Sequence, residues 1–136
     1  MLVIDASAVA ELLLLRPAAT RVEDHIVTYD YALHAPHLLD IEVLGALRRV
    51  VASGDASPHR AGEALQNLVD LPVERYPHDI LVSRVWSLRD NFSAYDATYL
   101  ALAETLTREG APLLTADARF ARAARAHSAV DILLVN

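Results

Sequence analysis

The sequence predicts an α/β fold, a single domain with a largely parallel central sheet and helices on both faces, and three observations predict it. Short apolar runs recur along the chain, each too short for a helix and each followed by a stretch with helical spacing. Two of these junctions share one plan: "LVIDAS" and "PLLTAD" both bring an apolar run, an acid and a hydroxyl together before a helix-forming segment. No linker, internal repeat or low-complexity stretch divides the 136 residues, a length that suits one domain. Strands alternating with helices give a parallel sheet buried on both faces.

The elements follow in order. Residues 2–5 read as a strand, and Ala8 to Leu15 as a helix that stops before Pro17. Val22, Ile26 and Tyr29 recur at spacings of four and three, which predicts a second helix, and "YALHAP" is a short extended piece ahead of Pro36. From His37 to about Ala52, Leu39, Val43, Leu47 and Val50 form one apolar face, and Gly54 terminates it. Ser57 is a natural N-cap with Pro58 at the first helical position, and apolar residues then recur at Ala61, Leu65 and Leu68, which predicts another helix. "PVERY" reads as a brief strand. Leu81, Val85 and Leu88 mark a helix to about Arg89, and another helix runs from near Ser93 to Gly110. "APLLTADARFARAARA" repeats the opening pattern, and "DILLV" forms the last strand.

Composition narrows the function. A hydrophobic content of 54% with four glycines and six prolines describes an ordered globular chain. The absence of cysteine excludes disulfides, thiolate metal sites and a cysteine nucleophile, and fits a reducing interior. No basic segment precedes the first apolar run, and none approaches the ~20 residues of a membrane span, so a cytoplasmic protein with no membrane partner is expected. All twelve basic residues are arginine. Without lysine there is no phosphate-loop motif and no Schiff-base chemistry, and the scattered glycines form no dinucleotide fingerprint. The net charge of −6 argues against sequence-blind nucleic-acid binding, which leaves a basic footprint.

Four acids carry the chemistry. In open parallel sheets the ligand site lies outside the carboxyl ends of the strands, where Asp5 and Asp117 fall. Glu42 interrupts an otherwise apolar helix, and Asp96 stands one turn before Tyr99 and Leu100. Each has a structural alternative: Asp5 and Asp117 as helix caps, Asp96 as the acid of a Ser93 capping box, Glu42 as a solvated carboxylate. Together, with no lysine beside them, they would repel one another unless a cation neutralised them, and hard oxygen ligands select Mg²⁺ or Mn²⁺. Such a cluster suits phosphodiester hydrolysis. Ser7 and Thr115, two residues from Asp5 and Asp117, can hydrogen-bond a carboxylate or a bound water, or serve as ordinary turn hydroxyls. His34 and His37 are separated by Pro36 and do not form a helical metal pair.

"VIDASAVAELLL", "DIEVLGALRR", "SAYDATYLALAE" and "PLLTADARFARAA" occur in an order and spacing that resemble PIN-domain ribonucleases, specifically the VapC-like toxins of toxin–antitoxin pairs, across essentially the whole chain (1–136). By this resemblance Asp5, Glu42, Asp96 and Asp117 match the family's four acidic positions, with Ser7 and Thr115 as the accompanying hydroxyls. The resemblance implies a Mg²⁺- or Mn²⁺-dependent endoribonuclease that cuts RNA such as tRNA or rRNA and is held inactive by a VapB-like antitoxin. Local arginines would reconcile RNA with the acidic charge: Arg48, Arg49, Arg119 and Arg122 are the candidate RNA contacts, with His59, Arg60 and Arg125 nearby in sequence. The apolar surplus of Leu12 to Leu15, Val22, Ile26, Val50 and Val51 is either buried on several sides or a groove for a partner helix or a homodimer. A phosphohydrolase with an aspartyl nucleophile is the second enzyme reading, although that chemistry commonly uses a second acid where Ser7 stands and a lysine this chain lacks; a phospho-receiver meets the same objection over lysine. A DNA nuclease and a catalytically idle interaction module stay open.

Overall fold

The computed structural model describes all residues 1–136. In chain order the elements are β1 (Leu2–Ile4), α1 (Ala6–Leu13), α2 (Ala19–Thr28), β2 (Leu33–Pro36), α3 (Leu38–Ala52), α4 (Pro58–Asp70) and β3 (Val73–Tyr76). A 3-10 turn (Asp79–Leu81) then leads into α5 (Val82–Ser87), α6 (Ala94–Leu106), β4 (Leu113–Thr115), α7 (Ala118–His127) and β5 (Ile132–Leu134). The five strands form one all-parallel sheet in the order β3-β2-β1-β4-β5.

That order places the site. The chain winds outward from β1 through β2 to β3, then returns to the other side of β1 for β4 and β5, so the winding reverses between β1 and β4. A crevice opens outside the carboxyl ends of two strands that diverge in this way. Asp5 follows β1 and Asp117 lies two residues beyond β4, so both flank the switch point.

Burial explains why such short strands hold. Leu2, Val3 and Ile4 are fully buried, as are Leu113 and Leu114 on β4, which is the continuous apolar run expected of a sheet covered on both faces. Helix α6 returns the chain from β3 to β4 and is buried from Ala97 to Ala103; its alanines let it lie close to the strands. Ser57 caps α4 by accepting the Arg60 N–H at 3.1 Å with Pro58 inside the first turn, as its sequence predicts. Gly54 ends α3 at φ +80°, a left-handed conformation that favours glycine.

Two expectations are corrected, the extents of the helices after residue 79 and after Ser93, and two apolar stretches find their packing. The α4 face turned inward is Ala64 and Leu68, while Leu65 is 41% exposed, because α4 leans on the rest of the fold by a narrower stripe. The segment expected as one helix to Arg89 is a 3-10 turn followed by six helical residues. Helix α6 stops at Leu106, where Thr107 turns extended, and Gly110 at φ +87° instead shapes the turn into β4; a Cβ there would come 3.2 Å from Val130. The apolar surplus is mostly core: Leu13, Val22, Ile26 and Val50 are buried, and of the residues 12–15 only Leu15 stands in solvent.

Candidate active site

The hydroxyls organise the carboxylate at the end of β1. Asp5 is 5% exposed and caps α1, its Oδ1 accepting the Ala8 N–H at 3.0 Å. Ser7 donates to the same oxygen at 2.7 Å, and Thr115 donates to Oδ2 at 2.5 Å. Each hydroxyl has one proton, and with both given to Asp5, the 3.2 Å approach of Ser7 Oγ to Thr115 Oγ1 is a packing consequence. The two hydroxyls in turn accept backbone N–H groups, Ala116 on Ser7 at 2.9 Å and Asp117 on Thr115 at 3.0 Å. The loop after β1 is thus tied to the loop after β4 through Asp5. The capping alternatives are also realised: Asp117 accepts the N–H groups of Arg119 and Phe120 at the start of α7.

Helices α3 and α6 bring the other two acids. Glu42 projects from α3 and Tyr99 from α6, and the Tyr99 hydroxyl donates to Glu42 Oε2 at 2.8 Å. Tyr99 is 1% exposed, so its phenol is fixed by the core around it. Ser93 caps α6 by accepting the Asp96 N–H at 3.1 Å, but the Asp96 carboxylate does not return to the Ser93 amide, so only half of the capping box forms. That leaves the Asp96 carboxylate facing the cleft.

The four acids line one cavity of ≈ 490 Å³, together with Ser7, Arg49 and Tyr99. Their electrostatics are those of uncompensated negative charge. Burial pushes the Asp5 carboxyl up to about 6 against the pull of its three hydrogen bonds, and Glu42 adds to the rise. Burial and the charges of Asp117 and Asp5 push Asp96 up to about 6, with Arg119 opposing. Glu42 is also raised, by burial and by Asp96, and partly restored by Tyr99 and Arg49. Tyr99 is held far above its ordinary range by burial and Glu42, which keeps the phenol a neutral donor.

Of the candidate RNA contacts, two reach the acids. Arg49 lines the carboxylate cavity, and Arg119 lines an adjoining one that shares Asp96 and Asp117. Arg48 turns instead toward the cleft between α3 and α4, and Arg122 is exposed on α7 outside both cavities. Arg60 and Arg125 are committed to backbone carbonyls, of Leu13 at 2.6 Å and Ile132 at 2.9 Å, and His59 pairs with Glu63. His34 is a buried side chain bonded to Tyr76 at 2.7 Å and takes no part in the cleft. The residue that sequence reasoning passed over is Tyr99. A tyrosine on an apolar helix reads as core, and only its i, i+3 spacing from Asp96 signals more.

The donor set fits a divalent cation. Every donor is a hard carboxylate or hydroxyl oxygen, no lysine is available, and Asp5, Glu42 and Asp96 are raised first by burial and then by a neighbouring acid. No three of them converge tightly enough to enclose an ion by themselves. The chemistry that fits is therefore Mg²⁺-like, with one or two carboxylates and water completing the shell.

Comparison with known proteins identifies the family and the fold. A family model described as PIN domain matches residues 2–126. The chain is 43% identical over 122 residues to Ribonuclease VapC1 of Mycobacterium tuberculosis, covering 89% of each chain. It is 35% identical over 133 residues to Ribonuclease VapC12 of the same organism, covering 98% of this chain and 99% of that one. PAE2754 from Pyrobaculum aerophilum, a solved structure, shares the fold with a TM-score of 0.66 at 24% identity, covering 96% of this chain and 81% of that chain.

Proposed function

The chain belongs to the PIN-domain family, and from that premise we propose that it is the endoribonuclease toxin of a VapBC-type pair, hydrolysing RNA phosphodiester bonds with a divalent metal, Mg²⁺ or Mn²⁺. The observation that carries this reading is the convergence of Asp5, Glu42, Asp96 and Asp117 from four separate stretches of chain on one cleft at the switch point of the sheet. An idle interaction module would have no use for four carboxylates gathered in one cleft, with Asp5, Glu42 and Asp96 raised by burial and by a neighbouring acid. We assign Asp5 and Asp96 as the principal metal ligands, with Glu42 completing the site and Asp117 binding a second metal or positioning water.

A bound divalent cation activates water as a nucleophile and screens the charge that develops on the phosphate. The chain's own groups do the rest. Ser7 and Thr115 fix both oxygens of Asp5, so its carboxylate is set before any ligand arrives. Tyr99 does the same for Glu42. Arg49 and Arg119 border the cavities that hold the acids and supply the positive charge that RNA phosphates require in a chain of net charge −6.

Structured RNA such as tRNA or rRNA is the substrate class in this reading, a VapB-like antitoxin the controlling partner, a homodimer the working assembly, and the cytoplasm the location. No helix is long and apolar enough to cross a membrane. Asp5→Asn and Asp96→Asn test the assignment. Each is expected to lower cleavage by at least a hundredfold and to weaken Mn²⁺ binding measured by calorimetry, with the circular dichroism of the fold retained. A folded Asp96→Asn protein that cleaves and binds Mn²⁺ normally would remove Asp96 from the metal site.

A further inference from the structure

A second cavity, ≈ 400 Å³ in volume, opens beside the carboxylate cleft and shares Leu38 and Tyr95 with it. Its character is opposite: Val82, Val85, Trp86 and Phe92 make it largely apolar. Trp86 is 68% exposed and Tyr95 59%, so two aromatic surfaces face solvent in this lobe, and Tyr95 reaches the acid cleft beside Asp96. The Arg89 guanidinium lies 4.5 Å from the Trp86 ring centre and is held there by donating to the Trp86 carbonyl at 3.1 Å. The cavity containing Arg119 also adjoins the acids through Asp96 and Asp117, shares Phe92 with the aromatic lobe, and carries the polar groups of Asn91 and Ser93. The carboxylates therefore sit at a junction between a polar, cationic lobe and an aromatic one.

We propose that the aromatic lobe is a nucleobase subsite, in which an unpaired base next to the cleaved phosphodiester stacks on Trp86 and Tyr95 while the backbone follows the lobe with Arg119. The proposal rests on the ribonuclease reading and deepens it by naming the kind of RNA the site takes. A polynucleotide alternates charged phosphates with flat apolar bases, and the two lobes offer one surface for each. Protein aromatics and arginine planes recognise bases that are splayed out of a helix, since a paired base hides its face. Arg89 strengthens the case, because a guanidinium fixed against Trp86 presents a planar cation beside the stack. The subsite thus selects a loop or single strand at the cut, not a continuous duplex. The volume lies within the range of about 300–1,000 Å³ typical of small-ligand clefts.

Trp86 is the only tryptophan in the chain, so its emission reports on this lobe alone. With chelator present to prevent cleavage, a short unstructured RNA oligonucleotide is expected to quench Trp86 saturably, and ribose 5-phosphate is expected not to. With Mn²⁺, the same oligonucleotide carrying one abasic position beside the cut is expected to show a KM raised about tenfold with kcat little changed, in line with the usual worth of base stacking. Trp86→Leu should reproduce that KM with the normal oligonucleotide, and Trp86→Phe should restore it. Equal KM for the intact oligonucleotide and for every abasic one would overturn the subsite while leaving the nuclease standing. Concentration-dependent dimerisation in sedimentation that is lost in Trp86→Leu would assign this face to a second copy and overturn it as well. Failure of the unchanged protein to cut any RNA would overturn both readings together.

Discussion

Asp5 caps a helix and also stands at the metal-fitting cleft, and at the scale of single residues the two roles are one arrangement. The Ala8 N–H, Ser7 and Thr115 compensate the burial of its carboxylate only in part, which leaves its pKa at about 6. A carboxyl raised in the fold from 3.8 to about 6 costs stability whenever it is ionised. That cost is absent below about pH 3.8, grows as the pH rises to about 6 and is complete above it, reaching up to roughly 3 kcal/mol for a fully buried group. The metal-free protein is therefore expected to gain stability between pH 8 and pH 5 from these groups, and Asp96→Asn to melt a few degrees higher than the unchanged chain at pH 8. Thermal melts with and without chelator check both, and a lower melting temperature for Asp96→Asn at pH 8 would mean that its charge is already compensated. Tyr99→Phe is expected to cut RNA cleavage about tenfold with the fold intact, since it removes one hydrogen bond to a charged group; unchanged kcat would make Tyr99 a core residue only. The acids were legible in the sequence because strand ends and an apolar helix make a carboxylate conspicuous. Tyr99 was not, because its hydroxyl finds Glu42 only once α3 and α6 are packed together.

Among the elements, legibility followed burial. Strands β1 and β4 show as apolar runs because both of their faces are covered, and α3 shows because one stripe, Leu39, Val43, Leu47 and Val50, carries its packing. The stretch 79–89 misled because Leu81, Val85 and Leu88 keep helical spacing across a change from 3-10 to α geometry, which periodicity does not resolve. Helix α6 is shorter than its sequence suggests: Arg108 and Glu109 are good helix formers, but Thr107 is already extended and the chain turns at Gly110 into β4. Two substitutions separate these effects. Ala101→Leu in the fully buried stretch of α6 is expected to destabilise by about 1–3 kcal/mol, since added methylenes overpack a close-packed core. Ser57→Ala should cost about 1 kcal/mol by leaving the first turn of α4 uncapped. Urea unfolding measures both, and an unchanged midpoint for Ala101→Leu would show that α6 has room the packing does not suggest.

Across the whole molecule, an acidic chain handles an acidic polymer by keeping its cations local. Arg49 and Arg119 are beside the carboxylates, whereas Arg48 and Arg122 lie outside both cavities. Removing Arg49 and Arg119 together should weaken RNA binding and flatten its salt dependence, and removing Arg48 and Arg122 should leave both nearly unchanged. Filter binding across a salt series distinguishes them; equal effects would spread the RNA track over the whole helical face. The central claim, that four carboxylates at the switch point of a parallel sheet make this chain a metal-dependent ribonuclease, is tested most directly by incubating total cellular RNA with the purified protein. The expected result is discrete fragments with Mg²⁺ or Mn²⁺ that disappear with EDTA and with Asp5→Asn. Fragments that persist unchanged in EDTA and in the variant would contradict it.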